Sequence, residues 1–271
     1  MRETNLVNGI LFGAEAWYGL TKNQIERLEN TDLSFFRKLF LTHSKSAKES
    51  FLLETGKLPL SFILINRRLM YWHHIVNSKK EGLLYKFYTI QKSCPARNDW
   101  VTQIQNDMNK IGLDITDTDA QDMSKTRFKT MLKKKVTTAA LNYLNEAAAS
   151  HSKSKGLTKD ELKCEKYITD KRFTVEEVQL LFKMRTRMDP TKSNFRKQHE
   201  PDLFCDLCRI SLCTPQHQLS CVVIRKFIPE LLTTEVVYED IFGDVNKQLS
   251  AIRIFMKVSR QREVVLDALR K

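Results

Sequence analysis

Cys205-Asp-Leu-Cys208, followed by His217 after eight residues and Cys221 after three more, sets the tightest limit on how this chain can fold. Two cysteines separated by two residues can turn both sulfurs toward one point. A His and a Cys four apart on a helical turn present the other pair of donors on one face. The pattern C-x2-C-x8-H-x3-C thus offers four closed tetrahedral ligands, the set taken by a structural zinc ion, with no vacant position for a catalytic water. Zinc held by Cys205, Cys208, His217 and Cys221 would keep a tail folded rather than hydrolyse a substrate. Cys213, inside the loop, competes for one ligand position. The plainer alternative is a set of buried reduced cysteines with an incidental histidine. Three thiolates around a dication leave one net negative charge, which favours the neighbouring Arg209, Arg225 and Lys226. Those cations could also touch phosphates. Cys94 and Cys164 stand alone and read as ordinary core or surface thiols.

The six cysteines are not spread like a disulfide framework, and Met1-Arg2-Glu3-Thr4-Asn5 lacks the apolar core and cleavage site of a secretory signal. A reducing compartment, nuclear or cytoplasmic and not secreted, is the expectation. The longest apolar runs, Leu58 to Ile65 and Cys221 to Ile224, fall far short of the roughly 20 residues that cross a bilayer, so no membrane span is expected. With 42% apolar residues, the 271-residue chain can bury one large core or two small ones. None of its glycines forms a G-x-G pair or precedes Lys-Ser or Lys-Thr, which disfavours Rossmann and P-loop nucleotide sites. A net charge of +13 favours contact with a polyanion, either a nucleic acid or an acidic membrane face.

The apolar spacing is helical nearly throughout, and the fold class it predicts is all-α with a small zinc-bound tail. Thr21-x-x-Gln24 reads as a capping box opening a helix to about Phe40. Ser46-x-x-Glu49 opens a short helix closed by Gly56 in the left-handed conformation, and Pro59 suits the first turn of the next. That next segment, Leu58 to Val76, is apolar on several faces and is the expected core element. From Ser78 to Asp99 the chain carries Gly82, Pro95 and mixed charges. Helical spacing then returns from Asp99 to Lys110 and stops near Gly112. Asp114 to Asp122 reads as an acidic connection of caps and turns. A long helix from about Ser124 to Ala149 places Phe128, Met131, Leu132, Val136, Ala139, Ala140, Tyr143 and Leu144 on one stripe. A flexible join is expected near residue 152, within Ser150 to Lys155. Thr174-x-x-Glu177 caps a helix from Val175 to Met188, and Val245 to Leu269 forms the last one. Cys221 to Tyr238, rich in Val, Ile and Thr, is where short strands would fit best.

Two further features bear on partners. Lys125, Arg127, Lys129, Lys133, Lys134 and Lys135 form a basic run without an intervening acid, and Lys125, Lys129 and Lys133 lie four apart on a helix. A polyphosphate could lie along them, or they could be a solvated face. Arg67-Arg68-Leu-Met-Tyr71-Trp72-His73-His74 mixes guanidinium groups with aromatics, which permits phosphate contact with base stacking, although aromatics beside Leu69 and Met70 more simply pack a core. The candidate phosphate contacts are Arg67, Arg68, Lys129, Lys133, Lys134, Arg209 and Arg225. No Asp-Asp pair, H-E-x-x-H or G-x-S-x-G motif occurs, so no catalytic residue is assigned.

Ile10-Leu-Phe-Gly-Ala-Glu-Ala-Trp-Tyr-Gly-Leu20 is similar to the I-L-Y-G-x-E-x-W segment that follows the catalytic palm in reverse transcriptases of LINE-type (non-LTR) retrotransposons. Leu28-Glu-x-x-Asp32, Arg37-Lys-Leu, Glu54-x-Gly-Lys-Leu-Pro-Leu60 and the Cys-Cys-His-Cys cluster continue the resemblance. It implies a thumb-like helical bundle over 1–76, a basic helical linker over 77–152, a helical connection over 153–200 and a zinc-knuckle tail with terminal helix over 201–271. It also implies RNA or DNA as partner, held as template or target. The fingers, palm and catalytic aspartates of the parent polyprotein are absent from this sequence, so the expected role is binding without polymerisation. The other expectation is a retroelement-derived, zinc-stabilised scaffold that binds an acidic protein partner.

Overall fold

A computed structural model of the chain describes all residues except 1–6, 44, 45, 95, 97, 152, 153, 155, 196, 197, 199–201, 229, 230, 232–235 and 271. The architecture is all-helical: no strand occurs among the described residues, where an isolated antiparallel bridge joins Phe204 to Leu212. The principal helices are α1 (Lys22–Leu39), α2 (Lys48–Thr55), α3 (Leu60–Val76), α4 (Leu83–Ser93), α5 (Trp100–Lys110), α6 (Asp117–Gln121), α7 (Lys125–Ser150), α8 (Val175–Arg185), α9 (Pro215–Ser220), α10 (Val222–Phe227) and α11 (Val245–Arg270). No helix among the described residues is long and apolar enough to cross a membrane. The chain forms two compact units. The first comprises Met1–Phe36, Phe51–Ala147 and Thr158–Leu162, and the second Arg37–Ser50, Ala148–Leu157 and Lys163–Lys271.

Local chemistry accounts for several helix ends. The amide of Thr21 donates to Gln24 Oε1 at 2.8 Å and the amide of Gln24 donates back to Thr21 Oγ1 at 3.3 Å, the reciprocal box expected before α1. Thr174 and Glu177 close the same box before α8, at 2.8 and 3.2 Å. Asp99 caps α5 by accepting from the amide of Thr102 at 2.7 Å. Gly56 ends α2 at φ +63°, a left-handed conformation that glycine adopts without a Cβ clash.

In the first unit α3 is the central element, with Leu60, Phe62, Ile65, Leu69 and Trp72 all buried on successive faces. Tyr88, Trp100, Ile104, Phe128 and Leu132 join it in one apolar cluster contributed by α4, α5 and α7. Trp72 Nε1 donates to the Tyr88 hydroxyl at 3.1 Å, which donates to Asp117 Oδ1 at 2.7 Å, so each polar tip carried inward has a partner. The helix α4 was not anticipated in the stretch from Ser78 to Asp99. Tyr88 alone among its residues is buried, and Leu83, Leu84, Phe87 and Ile90 face outward, so no inward apolar stripe marks it. Pro95 lies outside the described residues. The acidic connection of Asp114 to Asp122 contains the caps foreseen for it, arranged as a Thr116–Asp119 box that opens the short α6.

Arg68 is enclosed beside α5, where its Nε and Nη2 donate to the two carboxylate oxygens of Asp107 at 2.6 and 3.0 Å. Their side chains are 7% and 4% exposed. Removing one partner of so dry a bidentate pair strands the other charge. Asp107→Ala is therefore expected to destabilise the protein by about 3–5 kcal/mol, and Arg68→Met with Asp107→Leu by much less. Urea denaturation of both variants checks this; equal losses would mean that packing rather than charge is at stake.

In the second unit Phe40 stacks on Phe182 with ring centroids 3.9 Å apart, and Ala251, Ile252, Phe255 and Val258 bury one stripe of α11. Arg185 passes beside the rings of Tyr167 and Phe242 and donates to the carbonyl of Ile241 at 2.9 Å. Of the flexible join expected within Ser150 to Lys155, residues 152, 153 and 155 lie outside the described residues, while Ser154 is buried and its hydroxyl donates to Glu49 Oε1 at 3.1 Å. Of the segment from Cys221 to Tyr238, the described part is the helix α10 and its flanks rather than strand, while 229, 230 and 232–235 lie outside the described residues.

Candidate metal centre and basic helix

The cysteine loop is tied by its backbone before any side chain is considered. The amide of Cys205 donates to the carbonyl of Ser211 at 2.8 Å, that of Arg209 to Cys205 at 2.9 Å, and that of Cys213 to Leu203 at 2.8 Å. Arg209 takes φ +53°, the left-handed turn that sends the chain back on itself. Thr214 then caps α9, accepting from the amide of His217 at 3.0 Å, with Pro215 in the first turn where its missing N–H costs nothing. Cys221 sits at the break between α9 and α10 and is the N-cap residue of α10.

These constraints bring Cys205, Cys208, His217 and Cys221 together, their donor atoms all within 4.8 Å of one another. Cys205 Sγ lies 4.0 Å from Cys221 Sγ, and Cys208 Sγ 3.3 Å from His217 Nε2. Tetrahedral bond lengths of about 2.3 Å to sulfur and 2.0 Å to nitrogen imply donor separations of about 3.5–3.8 Å, which these bracket. The four side chains could hold a metal ion. Cys213, the rival ligand, lies outside this group; it is buried with its Sγ 3.7 Å from Arg262 Nη2. Cys94 and Cys164 are exposed.

Burial pushes the Cys205 thiol up, but the backbone N–H of Cys208 and the Arg262 guanidinium outweigh it and bring the pKa down to about 6. Cys221 is raised, first by burial, while backbone N–H groups of Ile224 and Val223 oppose that and the charges of Cys205 and Cys208 add to it. A dication would relieve that mutual repulsion. Arg262, on α11, was not foreseen as part of this site. Its Nη1 lies 3.4 Å from Cys205 Sγ and its Nη2 3.2 Å from Asp206 Oδ2, so a cation distant in sequence faces the thiolates. Lys192 pairs with Asp202 and Asp206 at 3.1 and 2.7 Å on the same loop.

Metal competes with protons for these donors, which sets the sign of the pH dependence. Cys205 keeps its thiolate down to about pH 6, well below an ordinary thiol, and loses it on further acidification. Metal supplied to the protein is expected to stay bound at about pH 7.5 and to be released by about pH 4, with a chromogenic metal indicator as readout. Full retention at the acid end would exclude thiolate ligation.

The other named cations are placed as follows. On α7 the residues Phe128, Leu132, Val136 and Ala140 are buried, and Lys125, Arg127, Lys129, Lys133, Lys134 and Lys135 are all exposed. Lys135 Nζ donates to the carbonyl of Gly112 at 2.8 Å, leaving the others toward solvent. Arg67 donates to the carbonyl of Leu11 and the side chain of Asn8, and Arg68 is enclosed with Asp107, so neither guanidinium is offered as the sequence suggested. Arg209 is exposed but paired with Asp202 at 2.7 Å, and Arg225 Nε donates to the carbonyl of Leu219 at 3.2 Å. Trp72 and His73 are buried, His73 stacking on Phe128 with centroids 4.3 Å apart, which favours packing over base stacking for that segment. No protein-family model matches the chain, nor does any curated protein or solved structure.

Proposed function

We infer that the protein is a nucleic-acid-binding module of retroelement origin, with a structural zinc ion in its tail, that holds RNA or DNA without copying it. The observation that carries this reading is α7, a helix with one face sealed in the core and six cations exposed on the others. Lysines spaced along a rigid rod match a polyphosphate better than a compact acidic group does, because each neutralised phosphate releases counterions independently. A net charge of +13 adds attraction at longer range. For the tail, three sulfurs and one imidazole nitrogen in a closed group of four are the donor chemistry of structural zinc.

The resemblance of residues 10–60 and of the cysteine cluster to the region after the palm in LINE-type reverse transcriptases supports the same reading. In this role Lys129, Lys133 and Lys134 contact the backbone, and Arg209 does so if it exchanges Asp202 for a phosphate. The test is fluorescence anisotropy with single-stranded RNA and single-stranded DNA oligonucleotides across a salt series. Binding that weakens steeply with salt is expected, and no binding at low salt would overturn the reading.

A further inference from the structure

The first unit carries an apolar surface that the nucleic-acid reading does not use. Along α4, Leu83, Phe87 and Ile90 are 74%, 64% and 60% exposed, and their spacing puts them with Leu84 on one stripe. A cleft of about 150 Å³ opens beside the stripe, walled by Tyr71, Ile75, Leu84, Phe87 and Trp100. A second, of about 600 Å³, is walled by Trp17, Tyr18, Leu20, Arg27 and Leu28. Ala16 borders both, so the two concavities adjoin. Isolated apolar side chains are common on protein surfaces, but a contiguous ridge beside two such hollows is the form of a binding site.

The charge nearest the clefts is predominantly positive. Among the described residues no Asp or Glu lines either cleft, and Arg27 is the cation in the wall of the larger. Lys79, Lys80 and Lys86 are exposed at the start of α4 and along its stripe, with Glu81 the acid among them. Lys92 is taken by Asp117 at 2.6 Å. We propose that this surface docks an acidic amphipathic helix of another protein, its bulky apolar residues entering the two clefts and its carboxylates meeting Lys79, Lys80, Lys86 and Arg27.

Shape and charge together select that occupant. A second copy would bring another +13 against the same lysines. A bilayer surface is flat and cannot fill the hollows, whereas a leucine- or tryptophan-sized side chain can, surrounded by the aliphatic ridge that excludes water. Nucleic-acid bases stack on aromatics but gain little from Leu83, Leu84 and Ile90.

The test uses the full chain and a fluorescein-labelled synthetic helical peptide with Leu and Trp on one face and Glu on the other. Anisotropy is expected to show saturable binding, weakened about tenfold by Phe87→Ser or Leu84→Ser and about as much when Gln replaces Glu in the peptide. Phe87 is exposed, so its loss leaves the core intact, which thermal melts of that variant and of Ile90→Ser verify. Absence of saturable binding, or binding indifferent to both substitutions, overturns the proposal. So does self-association in sedimentation velocity, or co-sedimentation with phosphatidylserine vesicles, that disappears in Phe87→Ser. Oligonucleotide affinity is expected to be unchanged in these variants; a parallel loss would make the surface part of the nucleic-acid site and overturn the proposal as well. The surface stands on its own if oligonucleotide binding fails in the native protein while the peptide still binds.

Discussion

Cys208→Ser protein is expected to be isolated without bound metal and with its cysteine loop unfolded. A serine hydroxyl stays protonated near neutrality and is a poor zinc donor, so the variant offers three donors where four are needed. Zinc binding in small structural sites is worth about 10–16 kcal/mol; losing roughly a quarter of that lowers affinity by about 10²–10³-fold. Nothing else in the loop makes up the difference. Between Leu203 and Cys213 the buried side chains are Cys205 and Cys213, and Phe204, Ile210 and Leu212 are exposed. The ion would thus be the core of this segment. Elemental analysis for metal and amide hydrogen exchange over residues 203–227 are the measurements. Cys213→Ser, outside the group of four, is expected to keep its metal, and a full complement in Cys208→Ser would sink the assignment.

Replacing Lys129, Lys133 and Lys134 by glutamine is expected to flatten the salt dependence of oligonucleotide binding more than any change elsewhere. Each phosphate contact on a single strand contributes about 0.7 to the slope of log K against log salt, so three lost contacts lower it by about 2 and weaken binding at about 0.1 M salt by roughly 100-fold. Glutamine is as good a helix former as lysine, and the replaced side chains are exposed, so α7 itself should persist. An unchanged slope would mean that these lysines only solvate the helix. Arg68, by contrast, is expected to act on stability alone, because its guanidinium is buried and its Nε and Nη2 already donate to Asp107.

Features written in neighbouring residues were legible. Thr21 with Gln24 and Thr174 with Glu177 are boxes closed within one helical turn, and the four metal donors lie within one short loop and helix. Such geometry depends on chain spacing more than on what packs against it. Features decided by tertiary partners were not legible. Arg67 and Arg68 look alike in sequence, but one reaches Asn8 and Leu11 and the other Asp107, and neither partner is announced nearby. The helix α4 carries its apolar residues outward, contrary to the pattern by which a helix is ordinarily detected. Arg262 follows the last donor by a long stretch of chain and belongs to no recognisable motif.

That last contact bears on how the tail can be handled as a piece. The guanidinium resting against Cys205, Cys213 and Asp206 comes from α11, so the sulfur-rich loop does not carry its own electrostatic balance. A synthetic peptide cut to the loop and its ligands would keep the exposed Arg209 but lose the half-buried guanidinium that faces two of its sulfurs, leaving the Cys205 thiol uncovered. Grafting of the motif onto another scaffold should therefore succeed only when the terminal rod travels with it. Frameshifts or nonsense changes between Cys221 and Arg262 would be felt at the sulfurs although every donor had been translated.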